Sequence, residues 1–289
     1  MAPAYDWQLT EDLDDFLARA GGFLRSRPAL HTVPLTVTDA LRERGLHLYG
    51  DQAPLFGFLG EEGNGGVRAA LIHTPPHQLN LTPLTADEAD SLAARLLALG
   101  HPVPSVSGKT ATAAAFAEAW ERRAGATGRI HQRQRLYRLG KLEAPEPMPE
   151  GRARVAGPAD RDLLMRWFKE FGEASGQRGF IAPGEWADAR IAYGGATLWE
   201  TPDGTPVSLA GVTRQVAGQV RVGPVYTPAH LRGRGYAGAA TAAVSRAVLE
   251  AGASEVLLFT DLANPTSNAL YQRIGYREVA DFTVYWFGD

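Results

Sequence analysis

Between Val222 and Asp261 the chain passes from an apolar segment, "VGPVYT", through "PAHLRGRG" into "YAGAATAAVSRAVLEAG" and then into "EVLLFTD". Ala240, Ala243, Val244, Ala247, Val248 and Ala251 recur at helical spacing, and Gly252 is a natural stop. The run "EVLLFTD" is continuously apolar until its end, as in a strand buried on both faces. A strand, a loop, a helix and a strand in this order make a βαβ unit, in which the two strands are parallel and the crossover is right-handed. That unit fixes the fold class as α/β (α+β).

The loop at its centre carries Arg232, Gly233, Arg234 and Gly235. A helix N-terminus presents unpaired backbone N–H groups and the positive end of the helix dipole. Glycine lets an anion approach that backbone closely, and arginine adds charge-assisted hydrogen bonds. The loop therefore reads as a seat for a diphosphate, against the plainer reading of a basic surface turn. Just upstream, Gly223-Pro224 interrupts the apolar strand. Proline cannot donate to a sheet ladder, so a bulge or an edge is expected there. A bulge would splay this strand from its parallel neighbour and free the backbone of Val225, Tyr226 and Thr227 to bond an extended, amide-containing ligand. A diphosphate joined to a peptide-like arm describes coenzyme A.

Two segments of the chain are similar to those of a known family. "RGRGYA", Arg232 to Ala237, fits the R/Q-x-x-G-x-G/A signature of the GNAT acyl-CoA N-acetyltransferase superfamily through Arg232, Gly235 and Ala237. "NPTSNALYQRIGYRE" resembles its N-x-x-S-x-x-L-Y-x-x-x-G-F/Y segment through Asn264, Ser267, Leu270, Tyr271, Gly275 and Tyr276. The resemblance covers about 151–289. It implies acetyl-CoA as donor, with the amides from Arg232 through Gly238, including Tyr236 and Ala237, around the diphosphate. It also implies Val225 and Thr227 beside the pantetheine arm, Val225 N–H against the thioester carbonyl, Asn264 and Asn268 near the arm, and Tyr271 as general acid toward the sulfur.

The general base stays open. The strand "QVRVGPVYT" has no glutamate, where many family members carry one. Glu173, Glu200 and Asp261 are candidates elsewhere, as is a base acting through water. His230, just before the loop, is a lone histidine of the kind usually found on a surface. The chain has no cysteine, which excludes a cysteine acyl-enzyme, disulfides and cysteine-ligated zinc. Transfer is therefore expected by direct attack of the amine on the thioester.

The seam in the chain is "EAPEPMPE", Glu143 to Glu150, whose prolines favour an extended spacer. It divides the sequence into 1–142, 143–150 and 151–289, and the first part repeats the plan of the last. "TADEADSLAARLLALG" is a helix capped by Thr85 and Glu88, and "ATAAAFAEAWERRAG" matches the later "SNALYQRIG". The helix-ending glycines are 25 residues apart at Gly100 and Gly125, and 23 apart at Gly252 and Gly275. The expectation is two GNAT-like domains, each a mixed, mostly antiparallel sheet with a central parallel βαβ unit flanked by helices. The first is a degenerate copy without the Arg/Gly loop. In the second, Asp203-Gly204 and Ala217-Gly218 mark hairpins, and "YREVADFTVYWF" supplies two closing strands.

Other patterns lead to weaker expectations. "VPSVSGKT" ends like a P-loop, but Val103 stands where the first glycine belongs. His73 and His77 have ligand-like spacing, but two prolines separate them and no third ligand is near, so no metal is expected. A net charge of −3 gives no electrostatic reason for a nucleic-acid partner. The acidic N-terminus and the lack of a long apolar run imply no signal peptide, no membrane span and a cytoplasmic protein. The expected acceptor is an amine of a small molecule or peptide, and the expected state a monomer or homodimer. The competing readings are a non-catalytic acyl-CoA-binding regulator, or an acyltransferase with another acyl-CoA, including small-thiol synthesis.

Overall fold

The computed structural model describes residues 5–61, 65–176 and 181–288. Contacts divide the chain into two units: one runs to Arg135 and resumes at Ala280, and the other is Leu136–Val279. The division falls inside two long strands, so each unit takes a segment of both, and the proline-rich seam lies within the second unit.

The first unit contains β1 (Trp7–Thr10), α1 (Leu13–Arg25), α2 (Thr32–Arg44), β2 (Leu55–Gly60), β3 (Val67–His73), β4 (Leu79–Leu81), α3 (Ala86–Ala98), β5 (Ser105–Lys109), α4 (Thr110–Ala124) and most of β6 (Thr127–Leu139). The second contains β7 (Arg152–Val155), α5 (Arg161–Ser175), α6 (Pro183–Ala192), β8 (Ala196–Glu200), β9 (Pro206–Val212), β10 (Gln219–Tyr226), α7 (Tyr236–Glu250), β11 (Glu255–Asp261), α8 (Pro265–Arg273) and the start of β12 (Tyr276–Gly288). The two orders are the same, element for element. Each begins with a strand and two helices, continues with three strands, and crosses by a helix to a parallel strand. The parallel pairs are β4–β5 and β10–β11; the other registered pairs are antiparallel. Gly100, Gly125, Gly252 and Gly275 all take positive φ at the ends of the matching helices.

Layering explains why so many strand residues are apolar. In the first unit Leu92, Leu96, Phe116 and Trp120 pack α3 and α4 against Leu71, Leu79 and Val106, while Phe16 of α1 stacks on Phe56 at 5.2 Å. In the second, Ala240, Val244 and Ile274 of the α7–α8 side meet Val222, Val256 and Leu258. On the α5–α6 side, Leu164, Trp167 and Trp186 meet Leu198, Leu209 and Tyr226. A sheet buried on both faces needs no polar alternation.

Some expectations change. The closing segment is one long strand, β12, because nothing in "YREVADFTVYWF" breaks the extended run. Helix α7 begins at Tyr236, a turn before the alanine stripe. The segment resembling a P-loop is β5, paired to β4 and β12, so its backbone cannot wrap a phosphate. Helices α1 and α2 and strands β1 and β2 complete the first copy. His73 and His77 are joined in a chain of hydrogen bonds: His77 Nε2 reaches the Tyr49 carbonyl at 2.9 Å, and His73 Nε2 the His77 carbonyl at 2.9 Å. His73 Nδ1 lies 2.7 Å from His101 Nε2. His73 must donate through Nε2, so its Nδ1 accepts the proton of His101.

Helix α3 carries the full capping box expected from its sequence: Glu88 N–H donates to Thr85 Oγ1, and Thr85 N–H donates to the Glu88 carboxylate at 2.7 Å. Thr85→Ala is expected to lower stability by about 1 kcal/mol, read as a shifted denaturation midpoint; an unchanged midpoint would show that the cap is idle. Burial, then the charge of His101, pushes the pKa of fully buried His73 down to about 4. Because the folded value lies below the unfolded one, stability from this group is complete above pH ~6.5 and is lost as the pH falls toward 4, to a total of about 3 kcal/mol. An NMR titration is expected to find the His73 ring neutral at pH 5, and a ring protonated at pH 6 would contradict it.

Candidate active site

Strand β10 pairs with β11 only from Gln219↔Glu255 to Val222↔Leu258, and both strands continue past that point without positions paired to each other. On its other side β10 shifts register against β9 between Val222↔Val212 and Val225↔Ala210. Three steps on β10 match two on β9, which is a bulge at Gly223-Pro224. Gly211 of β9 makes room for it, since a Cβ there would stand 3.0 Å from the Gly223 carbonyl oxygen and 3.2 Å from the Pro224 ring. The expected bulge and splay are therefore both present. Side chains beyond the bulge alternate: Val225 packs toward α7, and Tyr226 toward α5 and α6.

The turn after β10 is held from inside. Thr227 Oγ1 lies 2.8 Å from Ser208 Oγ of β9, and Arg232 Nε donates to the Thr227 carbonyl at 3.0 Å. Arg232 thus ties the loop to the strand end, while Arg234 is exposed and makes no ion pair among the described residues. Gly233 and Gly235 have φ of +76° and +82°, in the left-handed region where a side chain is strained. Gly235 is the N-cap of α7. No side chain caps that helix and no acidic residue lies in its first turn. The amides of Tyr236, Ala237 and Gly238 consequently have no intrahelical or capping acceptor. The equivalent helix of the first unit, α3, has its first turn filled by Thr85, Asp87 and Glu88.

The proline-rich segment is no free spacer. Gly140 N–H donates to the Gly275 carbonyl and Glu143 N–H to the Ile274 carbonyl, which fixes its start to the end of α8. Farther along, Pro145 and Pro149 lie beside Gly238 and Gly235, within 3.6 Å of where a Cβ would stand on either. The segment is thereby strapped across the first turn of α7, a placement that its composition alone does not reveal.

Asn264 caps α8 by accepting from Ser267 N–H at 3.0 Å. Asn268 Nδ2 donates to the Asp261 carbonyl at 2.8 Å and its Oδ1 accepts from Tyr137 Oη at 2.9 Å. Both asparagines anchor α8 to the open end of β11. Tyr271, one turn on, is 8 % exposed and packs edge-on to Tyr276, and its hydroxyl has no hydrogen-bond partner among the described residues. Burial pushes its pKa up to about 12, so the phenol keeps its proton at neutral pH.

The carboxylates separate clearly. Glu200 is buried, and its oxygens face Arg154 Nε at 2.6 Å and Arg152 Nε at 3.6 Å. Asp261 accepts from Ala263 N–H in the turn after β11. Glu173 is exposed near the end of α5, and His230 is exposed in the short turn Ala229–Leu231. Sequence reasoning passed over Glu170. Its Oε2 accepts from Tyr226 Oη at 2.7 Å, and it lies on the same helical stripe as Trp167. A carboxylate on an otherwise apolar stripe was the available signal. No group of three or more potential metal-ligating side chains occurs among the described residues, and no described helix is long and apolar enough to cross a membrane.

Residues 206–287, which span β9 to β12, match the family described as FR47-like protein. No curated protein sequence matches the chain. A GCN5-related N-acetyltransferase from Sphaerobacter thermophilus is similar in structure, with a TM-score of 0.63 and 19% identity over 98% of this chain and 95% of that one. A GNAT-family acetyltransferase from Colwellia psychrerythraea follows at 0.58 and 13%, over 99% and 100%. A tandem GNAT protein from the clavulanic acid biosynthesis pathway stands at 0.56 and 15%, over 98% of both. At these identities the likeness is one of fold. The chain has the fold of the GNAT N-acetyltransferases in tandem, and its residues 206–287 match the FR47-like family.

Proposed function

We propose that the protein is an acetyl-CoA-dependent N-acetyltransferase whose chemistry resides in the second unit, and that its acceptor is a primary amine of a small molecule or peptide. The observation that carries this reading is the pairing of a splayed, bulged β10 with an uncapped first turn of α7, where the first unit has a capped α3. The residues fit coenzyme A. Tyr236, Ala237 and Gly238 offer backbone N–H groups to the diphosphate, with the helix dipole behind them. Gly233 and Gly235 let it approach, Arg234 adds charge, and Arg232 keeps the loop in place through Thr227. The side of β10 that faces β11 beyond Val222, with Val225, Tyr226 and the following Thr227, would serve an amide-containing arm, and Asn264 and Asn268 hold the start of α8 at the end of β11.

Acetyl-CoA, when bound, supplies an acetyl thioester. Val225 N–H would donate to the carbonyl oxygen as negative charge develops there. Tyr271 holds its proton until the sulfur departs, then donates it. Of the carboxylates considered from sequence, Glu200 is held between two arginines and has a structural role, and Glu173 stays open to solvent.

Calorimetric titration with coenzyme A tests the donor site. Arg232→Glu or Gly235→Val is expected to weaken binding at least tenfold, roughly 1.4 kcal/mol, and unchanged affinity in folded variants would remove the loop from the site. Tyr271→Phe is expected to reduce turnover far more than coenzyme A affinity; equal turnover would take Tyr271 out of the mechanism.

A further inference from the structure

The bulged strand carries no carboxylate of its own, yet α5 sets one against the side chain of Tyr226. Glu170 Oε2 is held by the Tyr226 hydroxyl at 2.7 Å, and Tyr226 directly follows Val225. Glu170 makes no ion pair among the described residues, and its second oxygen has no hydrogen-bond partner there. This distinguishes it from Asp160, Asp188 and Glu200, each of which is bonded to an arginine. The ring of Tyr226 is itself fixed, since it lies 6.1 Å from Trp167 one turn before Glu170, and Trp167 is buried. One oxygen anchored by a neutral donor and one left open is the arrangement a general base needs. The anchor sets direction, and with no arginine bonded to it the second oxygen is left open to an incoming proton.

We infer that Glu170 is the general base of the second unit, accepting a proton from the acceptor amine on the α5 side of β10, with Tyr226 as the residue that positions it. The assignment rests on the N-acetyltransferase reading. The amine nitrogen loses a proton to the free oxygen of Glu170 and forms the N–C bond to the acetyl carbon. The C–S bond breaks, and the sulfur takes the Tyr271 proton. Glu170 then releases its proton through solvent, which restores the Tyr271 phenol, so that one amide and one free thiol are made with no other reactant. Besides Tyr226, the charged groups around the pair are Glu173 on α5 and Arg232 of the loop. On the neighbouring α6, Asp188 is neutralised by Arg161, and Arg190 lies over the rings of Trp186 and Tyr193.

Spermidine, glucosamine, tyramine and Ala-Gly-Gly are assayed with acetyl-CoA from pH 5 to 9, alongside calorimetry with coenzyme A alone. For the best acceptor, Glu170→Gln keeps an acceptor for the Tyr226 hydroxyl but is expected to lower kcat/KM about 100-fold and to abolish its rise with pH on the acid side. Glu170→Asp is expected to restore part of the rate and the pH-dependent limb. Tyr226→Phe is expected to keep the limb with a rate reduced about tenfold. Glu170→Gln and Glu170→Asp are expected to bind coenzyme A as the unaltered protein does. Acetylation by Glu170→Gln with an unchanged pH profile overturns Glu170 as base while leaving the transferase reading intact. Coenzyme A binding without acetylation of any of the four amines overturns both. Loss of coenzyme A binding in Glu170→Gln overturns the assignment by making Glu170 part of the donor site.

Discussion

The first turn of α7 has backbone donors that the protein's own side chains do not satisfy, and the rest of the second unit is arranged around them. A glycine in the left-handed region turns the chain into the helix, so no serine, threonine or aspartate stands at the cap. Small residues follow, which let α7 lie close to α8 and to Pro145. The first unit shows the ordinary solution to the same problem. Its α3, at the same point in the topology, closes its first turn with Thr85 and Glu88. Two copies of one fold thus differ at the first turn of this helix, and the difference comes down to a few side chains.

The bulge in β10 is the second condition. A parallel pair that stayed zipped would leave no backbone for a ligand to bond. Gly223-Pro224 ends the pairing after Val222, and Gly211 on the neighbouring strand accommodates the displaced backbone. Beyond the bulge, alternate side chains divide the labour. Val225 faces the helix that carries the loop, while Tyr226 reaches across to α5 and Glu170. The two side chains thereby lie on opposite faces of one short strand. Asn268 and Arg232, for their part, donate to backbone carbonyls of the same unit, and Asn264 accepts from Ser267 N–H at the cap of α8.

Much of this was legible in the sequence because it depends on local chemistry. The glycine stops, the capping box at Thr85, the bulge at Gly223-Pro224 and the Arg/Gly loop all follow from residues whose conformational demands are strong. The duplication was legible from its helix-ending glycines, although α1, α2, β1 and β2 of the first unit were not. What escaped depends on tertiary placement. The strap of Pro145 and Pro149 over α7 is invisible in composition, which says only that the segment is extended. The continuity of β12 depends on its pairing with β5, a partner distant in sequence. Nothing local in the sequence sets Arg152 and Arg154 against Glu200, or brings the Tyr226 hydroxyl to Glu170.

The central claim is that α7 offers its first-turn amides to a ligand and α3 does not. Backbone amide NMR during titration with coenzyme A tests it most directly. The account predicts shifts concentrated at Gly233 to Gly238 and Val225 to Thr227, with Ala86 to Glu88 unmoved. Shifts centred on the first turn of α3, or none at the first turn of α7 at saturating ligand, would contradict it.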